Sequence, residues 1–269
     1  MQPLLRVENL AKRYARRNAA GGREDVLALD GVSFEIVPGT TLAVVGESGS
    51  GKSTLALCLA CLEDPTSGSV WYEGKDIIKL AEKERRKIRP QIQLIFQDPA
   101  NSLNPRWKVL EILREPLVLR GGISREEMKE RAYSLLGRVG LSVEITERLP
   151  GELSGGQRQR LAIARALALE PKVLILDEAL SALDCSVQAQ IANLLVELQS
   201  SLRMTYVFIT HDLGMAEHVA DEIVVMNDGR IVEQGRVEEV LRQPRQEITR
   251  RLVAAAPRLA RVPMAPIGR

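Results

Sequence analysis

The stretch of sequence that decides the fold is Gly46-Glu47-Ser48-Gly49-Ser50-Gly51-Lys52-Ser53-Thr54. It fits the phosphate-loop pattern, which is a glycine, four residues of any type, a second glycine, a lysine, and a serine or threonine. Residues 41–45 are apolar and β-branched, which predicts a buried strand, and residues 54–62 predict a helix. A strand, a glycine-rich loop and a helix in this order are the context that a phosphate loop requires.

The residue types of this loop suit a phosphate group. Glycines allow backbone N–H groups to turn inward around an anion, and the start of a helix adds its positive end. We expect Lys52 to reach the β- and γ-phosphates of a nucleotide and the Ser53 hydroxyl to hold Mg²⁺. The alternative is an ordinary glycine-rich turn, but four fixed positions arise by chance in such a chain only about one time in a hundred.

The composition excludes several classes of protein. The chain has 269 residues, 45% apolar and 27% charged, which is ordinary for a globular protein. Aromatic residues make up only 3%, so stacking platforms for single-stranded nucleic acid are not expected, and a net charge of +2 does not indicate a polyanion partner. We find no apolar run long enough to span a membrane and no secretory signal, which predicts a cytosolic location.

Two acids follow a second buried strand. The run Val173-Leu174-Ile175-Leu176-Asp177 is continuously apolar before its acid, which is typical of a central parallel strand. Ligands gather at the carboxyl ends of such strands, so Asp177 is the expected partner of Mg²⁺ and Glu178 the expected group that polarises the attacking water. The alternative is that both acids only cap the next helix.

Two further features are predicted to contribute to the chemistry. His211 follows the buried strand 206–210 and is placed to reach the γ-phosphate or the water, unless it is a structural histidine. Leu153-Ser154-Gly155-Gly156-Gln157 precedes a helix, with Ser154 as its N-cap, and is a candidate second phosphate site. The simpler interpretation of this segment is a capped helix start.

The rest of the chain predicts an α/β core interrupted by helices. Residues 107–170 carry helical patterns without strand signals, and Ser124 begins a capping box with Glu127. A phosphate-loop core does not need this stretch, so we expect an inserted helical subdomain at about 98–170, between core segments 1–97 and 171–240. The basic segment 12–23 predicts an exposed hairpin or loop, with Tyr14 as a candidate base-stacking residue. The tail 256–269 is predicted to be poorly ordered.

These motifs, in this order, resemble the ATP-binding subunits of ABC transporters over about residues 4–255. Residues 153–157 match the signature motif of that family in full, beside the phosphate loop and the Leu-Asp-Glu at 176–178. The resemblance implies a P-loop NTPase of α/β class with a mixed or parallel sheet, an N-terminal antiparallel β part, and an inserted α-helical subdomain. It also implies ATP and Mg²⁺ as ligands.

The resemblance assigns roles to individual residues. It implies that Tyr14 stacks on adenine, that Gln97 senses Mg²⁺ and the γ-phosphate, and that Asp184 belongs to a loop that communicates across a dimer. It implies that Glu178 is the catalytic base and His211 a switch histidine. The implied ligands of ATP are Tyr14, Gly46, Glu47, Ser48, Gly49, Ser50, Gly51, Lys52, Ser53, Thr54, Gln97, Ser154, Gly155, Gly156, Gln157 and Asp184. The implied metal ligands are Ser53, Gln97 and Asp177.

A narrower resemblance is to importers of dipeptides, oligopeptides or nickel. It rests on residues 96–99, 102–106, 178–179, 181–184, 186–190 and 249–257. This subfamily often has histidine and tyrosine where the chain has Gln246 and Ile248, a departure outside the ATP site.

The resemblance also implies the partners. They are a second ATPase subunit, alike or different, paired head to tail, two membrane-spanning permease subunits and, indirectly, an extracytoplasmic solute-binding protein. The chain would then be peripheral at the cytoplasmic face of the inner membrane.

Three alternatives are a soluble ABC-type ATPase not coupled to transport, a nucleotide-binding regulator without turnover, and a small-molecule phosphoryl transferase. The chain shows no long coiled coil or fused second ATPase unit, which argues against the first. Intact Glu178 and His211 argue against the second, and the signature motif argues against the third.

Overall fold

The computed structural model describes residues 2–17, 23–97 and 102–256, without the side chains of residues 16, 17, 23 and 24. The predicted glycine-containing loop at 19–22, the predicted turn at 98–99 and the predicted tail from residue 257 lie outside the described residues. The two predicted core segments lie largely within them.

Within these described ranges, ten strands form two sheets. Sheet one has the order β2-β1-β4-β5, and sheet two the order β10-β9-β3-β8-β7-β6. The strands are β1 (Leu5–Arg17), β2 (Arg23–Ile36), β3 (Thr41–Gly46), β4 (Ser67–Tyr72), β5 (Lys75–Asp76), β6 (Ile92–Ile95), β7 (Val173–Asp177), β8 (Thr205–Ile209), β9 (Glu222–Asn227) and β10 (Arg230–Arg236). The first sheet is antiparallel; in the second only β10 runs against its neighbour.

The central strands of the second sheet are buried on both faces. Every residue of β3, β7 and β8 is buried, as their continuous apolar runs predict for parallel strands covered by helices. Because parallel strands share one carboxyl edge, the ends of β3, β7 and β8 come together. This edge carries the phosphate loop, the Asp177–Glu178 pair and His211.

Of the two alternatives predicted for the basic segment 12–23, a hairpin or a loop, the structure shows the hairpin on either side of residues 18–22, which lie outside the described residues. Residues 12–17 continue β1, and they pair with residues 23–29 of β2 in a long antiparallel ribbon. A charged segment without a strong alternation of apolar and polar residues does not by itself distinguish a strand from a loop. Here the backbone of β2 supplies the hydrogen-bonding partner, and register shifts between Val7 and Arg13 accommodate the irregular pattern.

Nine α-helices lie among the described residues. They are α1 (Lys52–Leu59), α2 (Glu82–Ile88), α3 (Val109–Arg120), α4 (Arg125–Arg138), α5 (Gly155–Leu167), α6 (Cys185–Leu202), α7 (Leu213–Val219), α8 (Val237–Arg242) and α9 (Glu247–Ala255). None of them has both the length and the apolarity that crossing a membrane requires.

The stretch predicted to be helical contains α3, α4 and α5. Their buried side chains join one apolar cluster with α6 and with one face of β7 and β8. Ser124 caps α4 by accepting a hydrogen bond from the Glu127 N–H, at 3.1 Å, but the Glu127 carboxylate pairs with Arg131 instead of completing a capping box. The helical segment therefore packs directly on the sheet; its status as a separate subdomain stays a prediction.

Candidate nucleotide-binding site

The phosphate loop is held by backbone contacts that only glycine permits. A Cβ atom on Gly46 would lie 2.2 Å from the Met226 carbonyl oxygen, and one on Gly51 would lie 2.3 Å from the Ala28 carbonyl oxygen. Gly51 also has a φ of +100°. Backbone oxygens cannot move aside as a flexible side chain can, so these two glycines fix the path of the loop between β2 and β9.

Helix α1 begins at this loop without a side-chain cap. Gly51 is its N-cap and supplies no side-chain acceptor for the N–H groups of the first turn. Unpaired N–H groups at a helix start attract an anion, and the helix dipole adds to the attraction. The loop is thus chemically suited to a phosphate group.

Lys52 lies inside the curve of the loop. Its ammonium group donates hydrogen bonds to the carbonyl oxygens of Gly46, at 2.9 Å, and Glu47, at 2.8 Å. The residue is only 5% exposed. Burial lowers the pKa of Lys52, and the carboxylates of Glu178 and Asp177 act against that shift. A phosphate would supply the strong negative partner that the two carbonyl oxygens do not.

The expected metal ligands meet across the sheet edge. The Ser53 hydroxyl donates a hydrogen bond to Asp177 Oδ1, at 3.1 Å, although 124 residues separate them. Burial raises the pKa of Asp177; the bond from Ser53 and the charge of Lys52 oppose that shift, and Glu178 adds to it. A nearby cation would favour the charged form of this carboxylate.

The side chains of Ser53 and Asp177 suit the role of Mg²⁺ ligands that the resemblance implies. Both offer oxygen atoms, which Mg²⁺ prefers, and Mg²⁺ is commonly held by one or two protein groups together with substrate phosphates. Among the residues that the structure describes, no group of three or more His, Cys, Asp or Glu side chains could form a cage of protein ligands alone. The oxygen atoms of Ser53 and Asp177 are thus of the type that Mg²⁺ accepts alongside phosphate oxygens.

Glu178 lies close to two other predicted site residues, Gln97 and His211. Its Oε2 atom accepts a hydrogen bond from Gln97 Nε2, at 3.3 Å, and lies 3.6 Å from His211 Nδ1. The Glu178 side chain is 21% exposed, whereas that of His211 is 62% exposed. A carboxylate partly sheltered in this way, yet open to water, is placed to accept a proton from a water molecule.

The backbone holds Glu178 in an uncommon conformation. Its φ is +47°, in the left-handed region, and its N–H donates to the Ile209 carbonyl oxygen at 3.0 Å. Ser181 Oγ donates to the Glu178 carbonyl oxygen at 2.9 Å and accepts from Gln97 Nε2 at 3.3 Å. A non-glycine residue in this region carries conformational strain, which is common where a side chain must be aimed at a ligand.

The segment that matches the signature motif, residues 153–157, lies at the start of α5 and not at the phosphate loop. Ser154 caps α5, because its hydroxyl accepts from the Gln157 N–H at 3.3 Å while Gln157 Oε1 accepts from the Ser154 N–H at 2.9 Å. This confirms the predicted N-cap. The segment packs against residues 183–187, since a Cβ on Gly155 would lie 3.2 Å from Leu183 Cδ2. Within the described parts of the chain, no hydrogen bond or ion pair joins residues 154–157 to the phosphate loop.

Two other predicted residues stand apart from the phosphate loop. Tyr14 lies on β1, where the Lys12 ammonium sits 4.9 Å from the centre of its ring. Asp184 caps α6 by accepting from the Val187 N–H at 3.0 Å. Neither one makes a hydrogen bond to residues 46–54 in the part of the chain that is described, and their roles stay predictions.

Sequence reasoning missed the contribution of the β9–β10 turn. The Gly229 N–H donates to the Ser50 carbonyl oxygen at 3.1 Å, and the Gly229 carbonyl oxygen accepts from the Asp30 N–H at 2.9 Å. The turn at 227–229 was predicted only as part of a hairpin. The turn and the phosphate loop that it contacts are about 180 residues apart in the sequence, and no local pattern predicts this contact.

The cysteines are structural or solvent-facing. Cys58 is buried on α1 and Cys61 is buried just after the end of that helix, and burial raises the pKa of the Cys58 thiol to about 12. The Cys61 thiol is shifted in the same direction by burial. Thiols held neutral in this way are poor nucleophiles, so they contribute packing and no chemistry.

Comparison with known proteins gives this geometry its context. The profile of the ABC transporter family matches residues 29–181, which contain the phosphate loop, the signature segment and both acids. The dipeptide transport ATP-binding protein DppF of Escherichia coli is 49% identical over 259 residues, covering 96% of this chain and 78% of that protein. The oligopeptide transport ATP-binding protein OppD of Mycobacterium tuberculosis is 47% identical over 94% of this chain and 41% of its own length.

Solved structures agree with the sequence comparison. A dimeric, post-hydrolysis structure of the ATP-binding cassette MJ0796, bound to ADP and Pi, superposes with a TM-score of 0.78. It is 34% identical and covers 87% of this chain and 98% of its own. The ABC ATPase fold predicted from the motifs is therefore confirmed, and ATP is the nucleotide that this family binds. On its sequence, its fold and the arrangement of its phosphate loop, the chain belongs to the ABC transporter family.

Proposed function

We propose that the chain binds and hydrolyses ATP to power an importer of dipeptides or oligopeptides. The observation that carries the ATPase part is the convergence at one sheet edge of two residue groups. One is the phosphate loop with the Ser53–Asp177 pair, and the other is Glu178 in contact with Gln97 and His211. The names of the relatives DppF and OppD support the peptide part; nickel is the remaining solute suggested by the motifs.

The chain's own groups suggest how hydrolysis proceeds. The first-turn N–H groups of α1 and Lys52 bind the phosphates, and Lys52 exchanges the carbonyl oxygens of Gly46 and Glu47 for phosphate oxygens. Mg²⁺ held by Ser53 and Asp177, with Gln97 as a further ligand, would neutralise charge on the β- and γ-phosphates. Glu178 accepts a proton from the water that attacks the γ-phosphorus, and the bond from that phosphorus to the bridging oxygen breaks. His211 reports the presence of the γ-phosphate.

The separation of the signature segment supports a dimer in which ATP is shared. Because residues 154–157 make no polar bond to the phosphate loop of the same chain, we propose that they cover ATP held by a partner subunit, paired head to tail. Contacts to the γ-phosphate exist only before hydrolysis, so they bias the interface between closed and open states. The partner is a second copy or a sister ATPase.

The remaining assignments follow from the same proposal. Two membrane-spanning permease subunits would bind the chain through the helical segment 98–170, at the cytoplasmic face of the membrane. A solute-binding protein would deliver the peptide from outside. We propose the division into core segments 1–97 and 171–240, the inserted segment 98–170 and the tail 256–269 on the same basis.

One experiment tests the transport assignment. The chain is tagged, membranes are solubilised in mild detergent, and the co-purifying proteins are identified by mass spectrometry. We expect two multi-span proteins and, for a heterodimer, a sister ATPase. Recovery only from the soluble fraction, without membrane proteins, would contradict coupling to transport and favour the soluble ABC-type ATPase.

A second experiment tests Glu178 within that assembly. In Glu178→Gln, ATP still binds but the proton acceptor is lost, so we expect a closed dimer that retains ATP and turnover reduced by about 100-fold or more. Glu84→Gln, an exposed acid on α2, is the matched control. Near-normal turnover of the Glu178→Gln assembly would remove Glu178 from the proposed role while leaving ATP binding intact.

A further inference from the structure

A cavity of about 440 Å³ lies at the edge of the second sheet opposite the phosphate loop. One wall of the cavity is formed by α3, α4 and α5 of the helical segment. The other wall is formed by the core, from the residues just before β7 and the end of α6. Its apolar surface consists of Leu117, Leu135, Leu167, Leu202 and Met204, with Ala168 and Pro171. The volume is within the range of small-molecule sites, and mixed apolar and polar lining is typical of them.

The charges around the cavity are unbalanced. Its lining contains the four cations Arg131, Arg138, Lys172 and Arg203 but the single acid Glu170. Glu170 accepts a hydrogen bond from Arg120 at 3.0 Å, and it lies 3.8 Å from Arg131. The one acid of the cavity is therefore already engaged by Arg120 and Arg131, and the charge of Arg138 also helps to lower its pKa.

Two of the arginines make no close side-chain contact of their own within the described residues, although the charge of Arg138 acts on Glu170 at longer range. Lys172 donates to Glu73 at 2.6 Å, and Arg131 donates to Glu127 at 2.9 Å. Arg138, at the end of α4, and Arg203, after α6, make no hydrogen bond or ion pair through their side chains with any residue that the structure describes. They come from the two sides of the cavity, one from the helical segment and one from the core.

The helix dipole accounts for only part of this arrangement. A cation near the end of a helix is favoured by the negative end of the dipole, and both arginines occupy such positions. Arg203, however, adopts a left-handed conformation with a φ of +52°, a position where glycine is favoured. A residue with a large charged side chain thus occupies a position where backbone preference alone favours glycine.

We propose that this cavity binds a small amphiphilic anion, with one carboxylate or phosphate group joined to an apolar body. The planar guanidinium groups of Arg138 and Arg203 suit a carboxylate or phosphate, which accepts two parallel hydrogen bonds from such a group. The leucines and Met204 suit an apolar body. Because the walls belong to the helical segment and to the core, the bound anion holds these two parts together at a distance from the ATP site.

The test measures binding to the full chain with four probes. Octanoate and octyl phosphate have both a head and an apolar body, octanol lacks the charge, and inorganic phosphate lacks the apolar body. Methionine methyl groups are labelled with ¹³C, because Met204 lines the cavity while Met226 lies by the phosphate loop and serves as an internal control. Met204→Leu assigns the Met204 signal.

We expect the Met204 signal to shift with either octyl anion, with Kd near or below about 1 mM for ligands of this size. The signal of Met226 should not move. Octanol and inorganic phosphate should each bind at least tenfold more weakly. Comparing octanoate with octyl phosphate distinguishes a carboxylate site from a phosphate site.

Variants then test the arginines. Arg138→Ala/Arg203→Ala should weaken binding of the preferred octyl anion at least tenfold, while Arg125→Ala/Arg236→Ala removes two exposed arginines elsewhere and should leave it unchanged. ATP affinity, measured in parallel, checks that each variant is folded. Three results would each overturn the proposal: no binding at 5 mM, octanol as tight as octanoate, or equal binding by both double variants.

Discussion

Two helices of this protein begin at glycine-rich segments, and they are prepared for different partners. Helix α1 begins at Gly51 with no side-chain cap, so its first N–H groups face the phosphate loop without a protein acceptor. Helix α5 begins at Ser154, whose hydroxyl and the Gln157 side chain satisfy each other's N–H groups. The N–H groups at the uncapped start of α1 are available to a phosphate bound in the same subunit. At the capped start of α5, side chains of the same helix already accept hydrogen bonds from these N–H groups, so the cap needs no ligand.

The glycines of the two segments also differ in what surrounds them. Cβ atoms on Gly46 and Gly51 would collide with backbone oxygens, but one on Gly155 would meet the Leu183 side chain, 3.2 Å away. The phosphate loop is thus fixed by the rest of its own fold. The signature segment packs against residues 183–187. These include Asp184, which the resemblance to ABC transporter subunits predicts to belong to a loop that communicates across a dimer.

The largest expected effect on function is the loss of ATP binding through Lys52. Lys52→Ala removes the buried cation of the phosphate loop, and hydrogen bonds to charged groups contribute about 1.5–3 kcal/mol each, so we expect ATP affinity to fall about 10- to 100-fold or more. Titration with a fluorescent ATP analogue measures this. Lys83→Ala, on the exposed face of α2, should bind normally. Unchanged affinity of Lys52→Ala would contradict the assignment of the loop.

The second prediction compares alanine at the two segments. Gly51→Ala places a Cβ 2.3 Å from the Ala28 carbonyl oxygen at a φ of +100°, and we expect the free energy of unfolding to fall by about 2–4 kcal/mol. Gly155→Ala should change it by less than about 1 kcal/mol, because the Leu183 side chain can move. Urea denaturation measures both. Equal losses would remove the distinction drawn between the two segments.

The third prediction concerns the cap of α5. Ser154→Ala leaves the Gln157 N–H without its acceptor, and we expect a loss of about 1 kcal/mol in the free energy of unfolding. ATP affinity of the isolated chain should be unchanged, because Ser154 makes no bond to the phosphate loop. Ser142→Ala, which removes a hydroxyl acceptor from a 3-10 turn, is a matched control for ATP binding. A tenfold loss of ATP affinity in Ser154→Ala alone would show that the signature segment acts within its own subunit.

The smallest expected effect depends on pH. Burial raises the pKa of Asp177 above its ordinary 3.8, so the folded state holds that proton more tightly than the unfolded chain. The carboxylate therefore destabilises the fold once the pH exceeds the folded pKa, and this cost disappears below the unfolded pKa. Asp177→Asn should be more stable than the parent chain at pH 7.5, by a margin that narrows as the pH falls through the folded pKa toward 3.8. Urea denaturation over this pH range checks the sign, and a margin that widens as the pH falls would contradict it.

Much of this molecule was set by local sequence. Phosphate-loop spacing, the apolar runs of β3, β7 and β8, and the Ser154 cap depend on residues within a few positions of one another. For such features the physical cause is short-ranged: backbone conformation, alternating or continuous burial, and a side chain that reaches its own helix start. They identified the α/β class and the order of the site residues along the chain.

Tertiary structure alone decided the contacts that assemble the site. The Ser53–Asp177 hydrogen bond, the Glu178–Gln97–His211 cluster and the Gly229–Ser50 hydrogen bond each join residues far apart in sequence. It also decided between the two predicted alternatives for the basic segment, because residues 12–17 pair with β2 as a hairpin strand although their local strand preference is weak. The free energies of strand pairing and side-chain packing depend on partners that lie far apart in the sequence, so no local stretch contains them. For that reason the sequence determined which groups take part, and the fold determined which of them meet.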